Sequence, residues 1–285
     1  MRAPAITVVV RSHNDEAYIG ATLDMLTRQT ENNLEILCVD DGSADRTVAI
    51  IDSFAAVRRV AAPSPYVPGR VLNFAVREAA GDTIVFNNSD AVPQHEDYIE
   101  RLIAPLASPD TGAVYGNQLC RPDADPLVRK DYERAFGDGR VAATWRHFFS
   151  MASSAARREV LIANPFDETL QYSEDIEWSY RLKTQGFRIV YAPDAKVEHS
   201  HNYTMKQLWK RFYNEGRADA AIFGDAPSFP RFAAQLAREC CRDLAYLFRR
   251  GEFAAAAGCL PRRFIQKYAA YRGCAAGLAE RPHGA

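Results

Sequence analysis

Along the first 120 residues, short β-branched runs alternate with segments whose apolar positions recur at helical spacing. Ile6-Thr-Val-Val-Val10 precedes a helical pattern from Tyr18 to Leu26, and Leu34-Glu-Ile-Leu-Cys-Val39 precedes another from Arg46 to Phe54. A third helix is expected over Gly69 to Ala80, then a strand at Thr83-Ile-Val-Phe86, a helix from Gln94 to Leu106 and a strand at Gly112-Ala-Val-Tyr115. Strand and helix in alternation predict an α/β fold, a mostly parallel sheet flanked by helices. Between about Arg121 and Arg146 the pattern loosens into Pro, Asp and Arg, which reads as a mobile segment over the site. Beyond it, Phe148 to Ala155 looks like a strand, Ser173 opens a helix to about Gln185, and Phe187 to Tyr191 is strand-like. Val197-Glu-His-Ser-His201 then leads into a helix through Arg217. From Pro230 onward, Phe232, Leu236, Cys240, Leu244, Leu247 and Phe248 recur at helical spacing, and a second helix follows Pro261. The expected organisation is a main domain over residues 1–218, with halves of about 1–120 and 121–218, and a C-terminal helical extension over 219–285.

Composition narrows the function classes. Hydrophobic residues at 47% and charged residues at 25% of 285 suit a folded globule. The net charge of -1 gives no global field for a polyanion, so no nucleic-acid partner is expected. That balance hides an asymmetry: residues 231–285 hold ten Lys/Arg and four Asp/Glu, a local +6. No apolar run approaches the ~20 residues of a spanning helix, and the run Ala5 to Val10 stops at Arg11, too short for a signal peptide. A cytoplasmic protein is expected. The six cysteines form no C-x-x-C pair and read as reduced packing residues.

In open α/β sheets ligands bind beyond the carboxyl ends of the strands. Those ends carry Arg11-Ser-His-Asn-Asp15, Asp40-Asp-Gly-Ser43 and Asn87-Asn-Ser-Asp90. Asp40 and Asp41 can accept hydrogen bonds from a nucleoside while Gly42 allows the tight turn, although turn and capping roles alone would also account for Asp41, Ser43 and Asp45. Asn88 and Asp90 can aim two oxygens at a hard divalent cation, Mg²⁺ or Mn²⁺, or simply form an Asn/Asp turn ended by Pro93. Tyr172-Ser173-Glu174-Asp175-Ile-Glu177-Trp178 places acids in a helix's first turn with Ser173 as cap, where acids are electrostatically favoured anyway. Asp175 and Trp178 share a face at i, i+3, which suits a carboxylate beside an aromatic wall for a sugar hydroxyl. His199 and His201 offer imidazoles for the cation or a phosphate, with at most one of them a ligand, or are plain hydrogen-bonded structure. Gly69-Arg70-Val-Leu-Asn73 could supply a cation and an amide to an anionic donor at a helix start, and Arg11 is a further candidate contact to it.

Taken in order, the Asp-Asp-Gly-Ser-x-Asp, Asn-x-Asp and Ser-Glu-Asp-x-Glu-Trp segments resemble family 2 glycosyltransferases of the GT-A fold over about residues 5–218. The stretch from Phe187 to Tyr213 is similar to bacterial rhamnosyltransferase-like members. The resemblance implies a GT-A sheet with a nucleotide-binding half (about 1–120) and an acceptor-binding half (about 121–218). It puts the nucleoside at Asp40 and Asp41, the metal motif at Asn88 to Asp90 and the catalytic base at Asp175, with Glu174 and Trp178 on the acceptor side. Asn88 departs from the pattern, since an acid is usual there. The implied reaction is inverting transfer from a nucleoside-diphosphate-sugar, such as dTDP-rhamnose or a UDP-sugar, to a glycan or lipid-linked acceptor in envelope polysaccharide synthesis. A sugar-phosphate nucleotidyltransferase would need a Gly-rich basic loop after the first strand, and a dinucleotide-dependent oxidoreductase would need G-x-G-x-x-G there; neither is present. A non-catalytic sugar-nucleotide-binding protein stays open. The basic tail fits either peripheral contact with a membrane or packing within the chain or a homodimer.

Overall fold

The computed structural model describes residues 5–279. The chain forms two compact units, one built from residues up to Arg121 together with Tyr132–Ser200, the other from Pro122–Asp131 together with the chain from His201 onward.

The first unit is an eight-stranded sheet. Its elements run β1 (Ile6–Ser12), α1 (Ile19–Thr27), β2 (Leu34–Asp40), α2 (Thr47–Asp52), β3 (Val57–Ala61), α3 (Pro68–Glu78), β4 (Thr83–Asn88), β5 (Val92–Pro93), α4 (Tyr98–Ile103) and β6 (Thr111–Leu119). After α5 (Pro126–Ala135), which begins in the other unit, come β7 (Ser153–Arg157), α6 (Arg158–Ala163), α7 (Glu174–Thr184) and β8 (Arg188–Glu198). The strand order is β3-β2-β1-β4-β7-β6-β8-β5. β3, β2, β1 and β4 are mutually parallel; β7 runs antiparallel to both β4 and β6, and β8 is parallel to β6. Two reversals restore direction, so β1, β2, β4, β6 and β8 all end at one edge, where β7 begins.

Both sheet faces are covered, which explains the near-continuous apolar strands. Val9, Leu37, Val39, Ile84 and Phe86 point into one core, while Val8, Val10, Ile36, Cys38 and Val85 point into the other. The alternation follows from the two-residue period of a strand. α3, α6 and α7 cover the first face, and α1 and α4 the second.

The second unit contains α8 (Met205–Phe223), α9 (Phe229–Arg250) and α10 (Cys259–Ala279) beside the first turns of α5. Thr204 and Gln207 form a capping box on α8, Ser228 caps α9, and Gly224 and Gly251 end these helices at φ +71°. α8 and α10 touch backbone to backbone: a Cβ at Gly273 would sit 1.9 Å from the Tyr213 carbonyl oxygen, and one at Gly216 2.2 Å from that of Ala270.

Two expectations change. The segment read as mobile between Arg121 and Arg146 contains the helix α5, and the strand expected from Phe148 starts at Ser153. β3, with Arg58 and Arg59 at its exposed positions, was not expected at all.

Candidate active site

At the edge where the parallel strands end, the loops after β1 and β2 are knitted together. Ser12 faces Asp40 across the β1–β2 ladder, and its hydroxyl donates to Asp40 Oδ1 at 3.0 Å. The same oxygen accepts from Ser43 Oγ at 2.6 Å, and Oδ2 accepts from the Ser43 N–H at 3.0 Å. Asp40, 5% exposed, therefore shapes the turn that Gly42 completes at φ +64°. Asp41 is more open; His13 Nδ1 donates to its carbonyl at 2.6 Å, and its carboxylate lies 3.9 Å from the same ring. Asp45 accepts from the Thr47 N–H at 2.9 Å, the role expected of a residue before α2.

One strand over, the Asn87–Asp90 turn is held from behind. Buried Asn87 donates to the Asn88 and Ala91 carbonyls and accepts from Tyr98 Oη at 3.0 Å, which in turn meets Ser153 Oγ at 2.8 Å. The Asn88 side chain makes no hydrogen bond among the described residues. Asp90 is 7% exposed, and its two oxygens face different groups. Oδ2 lies 3.3 Å from the guanidinium of Arg121, which also donates to the Asp90 carbonyl at 2.6 Å and stacks 3.7 Å from the Tyr18 ring centroid. Oδ1 lies 3.4 Å from His199 Nε2.

The tautomer of His199 follows from its neighbours. Gln118 Nε2 donates to Ser150 Oγ at 2.7 Å, which leaves Gln118 Oε1 to accept from His199 Nδ1 at 2.8 Å. Nδ1 therefore carries a proton, and Nε2 is the ring atom turned to the Asp90 carboxylate. A ring nitrogen and a carboxylate oxygen at that spacing are of the types that ligate a divalent cation. Asp90, His199 and His201 each offer one ligand atom, all within 4.8 Å of one another, a grouping that includes both histidines where at most one was expected as a ligand. Arg121 and Gln118 were not foreseen.

Asp175 opens α7 at the same edge. Its Oδ2 accepts from the Met151 N–H at 3.2 Å and its Oδ1 from the Ile176 N–H at 2.9 Å. Met151 adjoins Ala152, whose carbonyl accepts from the Asn88 N–H at 3.0 Å, so the base candidate and the Asn88–Asp90 turn flank the same short stretch before β7. Burial first, and then the neighbouring Glu174 carboxylate, push the Asp175 carboxyl up to about 7; Met151, Ile176 and Arg11 oppose them. Glu174 is itself buried, 3.5 Å from Arg11 on β1.

Three expectations are corrected. Trp178 does not wall an acceptor site: it is 1% exposed, its Nε1 donates to the Asn164 carbonyl at 2.7 Å, and its ring lies 4.9 Å from that of Phe166. Replacing Trp178 by leucine is expected to cost about 2–3 kcal/mol in urea unfolding, with the acceptor KM unchanged. Asn73 is not a donor contact, because its amide clamps the 166–168 segment by donating to the Phe166 carbonyl and Glu168 and accepting from the Phe166 N–H. Ser173 sits at φ +60° and makes no side-chain cap, so Glu174 and Asp175 start α7 without it. Arg70 stays half-exposed, 3.6 Å from Glu168.

The family model described as "Glycosyl transferase family 2" matches residues 7–164. Among curated proteins, the chain is 27% identical over 225 residues to O-antigen chain rhamnosyltransferase WbaN of Salmonella anatum, covering 75% of this chain and 71% of that protein. Among solved structures it resembles mannosyltransferase PcManGT from Pyrobaculum calidifontis, in complex with GDP-Man and Mn2+, at TM-score 0.66 and 22% identity over 99% of this chain and 89% of that one. A second likeness is to glucosyl-3-phosphoglycerate synthase from Mycobacterium tuberculosis, in complex with Mn2+, uridine diphosphate and phosphoglyceric acid. Its TM-score is 0.55 at 22% identity, with 72% and 73% of the two chains covered. These structural likenesses place the fold in the GT-A class.

Proposed function

Because the chain belongs to glycosyltransferase family 2, we propose that it moves a sugar, with inversion, from a nucleoside-diphosphate-sugar to a hydroxyl of a glycan or lipid-linked acceptor. The observation that carries this reading is Asp175, a carboxyl raised to about 7 and held by the Met151 N–H, next to the Ala152 carbonyl that the Asn88 N–H contacts. In the proposed step, the acceptor oxygen forms a bond to the anomeric carbon from the face opposite the diphosphate. Its proton passes to Asp175, and the bond to the leaving diphosphate oxygen breaks.

Asp41 and His13 line the nucleoside side. Asp90, His199 and His201 would hold Mn²⁺ or Mg²⁺, which when bound supplies positive charge against the leaving diphosphate. The Nδ1-protonated His199 and the Asp90 Oδ1 turned toward it fit such an ion, while Asn88 lowers the site's charge relative to the usual acid. The likeness to O-antigen chain rhamnosyltransferase WbaN favours a rhamnose donor and a glycan of O-antigen type as acceptor; in this reading the donor is dTDP-rhamnose and the acceptor is lipid-linked. Among the described residues no helix is long and apolar enough to cross a membrane.

A thermal-shift panel of nucleoside diphosphates and nucleotide sugars, with and without Mn²⁺, tests the donor half. One nucleotide is expected to raise Tm, more so with Mn²⁺. Asp90→Ala is expected to lose the Mn²⁺-dependent increment and keep the remainder. No stabilisation by any nucleotide would reject the reading.

A further inference from the structure

The second unit carries exposed apolar side chains to which the proposed reaction assigns no role. Five large apolar side chains of the described chain are at least 55% exposed, and four of them are here: Phe229 (64%), Phe253 (62%), Leu260 (60%) and Phe248 (55%). Phe248 and Phe253 meet at 5.6 Å between ring centroids where α9 turns toward α10. Leu260 and Phe264 are four apart on α10 and so share a face, and Phe264 continues through its ring contact with Tyr268 toward Trp209. Large exposed apolar groups on neighbouring turns mark a docking surface rather than scattered exposure.

Charge decides what docks there. From His201 to Ala279, nine Lys or Arg residues are exposed, Arg249 and Arg250 directly beside Phe248 among them, and no Asp or Glu is. The acids of this stretch are turned inward or partly covered, as with Glu239 and Asp243 against Lys130. A second copy of the same face would bring like charges together, which disfavours a symmetric dimer. An anionic bilayer surface satisfies both features: aromatic and leucine side chains enter the headgroup boundary, and arginines meet lipid phosphates. We propose that the α9–α10 turn and the exposed face of α10 dock the protein on an anionic membrane surface, with Phe248, Phe253, Leu260 and Phe264 entering it and Arg249 and Arg250 beside them. No described helix could cross the bilayer, so the contact lies in the interface plane.

This inference does not depend on the donor or on Asp175, and its test reads no activity. The full chain is sedimented with phosphatidylcholine vesicles, alone or containing phosphatidylglycerol. Binding is expected only with phosphatidylglycerol and is expected to weaken as salt rises. Arg249→Ser with Arg250→Ser should lower the partition coefficient roughly thirtyfold, and Phe248→Ser with Phe253→Ser at least about tenfold. Tyr66→Ser, an exposed aromatic of the first unit, should leave it unchanged. All substituted side chains are exposed, so melting curves should overlay that of the wild type, and either pair suffices if the other fails to fold. Equal binding to both vesicle types, no binding, or binding indifferent to both pairs would overturn the proposal. So would concentration-dependent dimerisation, measured by sedimentation, that the same substitutions abolish.

Discussion

Replacing Asp175 by asparagine is expected to lower kcat roughly a hundred- to ten-thousandfold, the range of a lost general base. Nucleotide binding should survive. Asparagine keeps an oxygen to accept from the Met151 or Ile176 N–H, so the start of α7 keeps its place while the proton acceptor is gone. Wild-type kcat/KM should rise tenfold per pH unit and level off near the value to which burial and Glu174 push this carboxyl, about 7. Stability gives an independent check with a fixed sign. A carboxyl raised in the fold from its ordinary value of 3.8 to about 7 binds its proton more tightly folded than unfolded. Its contribution is thus present at low pH and lost as pH climbs through 7. Burial-depressed His147 works the other way over part of the same range in both proteins, so the difference between them carries the Asp175 component: relative to the asparagine variant, the wild type should lose Tm between pH 5 and pH 8. Unchanged transfer in Asp175→Asn would remove the base from the mechanism. A loss of nucleotide binding along with transfer would show that the substitution broke the site instead.

What could be read from the sequence depended on whether a residue's local spacing determines its surroundings. β1, β2 and β4 were legible because both sheet faces are covered, which leaves unbroken apolar runs. β3 was not, because it is the edge strand, and edge strands carry charge. Arg58 pairs with Glu35 and Glu78 and Arg59 with Asp52, so the strand reads as a polar stretch. α5 escaped for a related reason: Lys130 and Asp131 anchor it through ion pairs, which a search for an apolar stripe overlooks. In the site, Asp90, His199 and Asp175 stood out as acids and imidazoles at strand ends or helix starts. Trp178 shows the limit of that reasoning, since i, i+3 spacing says two side chains share a face but not that the face is open. Arg121 and Gln118 gave no signal. Their roles depend on partners 31 and 81 residues away, a pairing that only the folded sheet makes.

The second large effect is expected far from the chemistry, at Asp243. Its carboxylate is fully buried between two cations: Lys130 of α5, and Arg263 of α10, whose Nε and Nη2 reach it at 2.7 and 2.9 Å. Arg263 also grips Asp131 through both terminal nitrogens at 2.7–2.8 Å. Asp243→Ala leaves Lys130 and Arg263 in the interior with one shared anion fewer, and breaking a buried pair from one side costs about 3–5 kcal/mol. Asp131, 37% exposed at its side chain, lies at the wet end of the network, and Asp131→Ala should cost about 1 kcal/mol. Urea unfolding of the full chain separates the two. If the pair is costly only because a charge is stranded, the combined change Lys130→Met, Asp243→Leu, Arg263→Met should recover most of the loss. Recovery would mean that the ions fix where the first turns of α5 sit on α9 and α10 more than they add stability. A triple variant as weak as Asp243→Ala would mean that the ionic network itself holds these helices together.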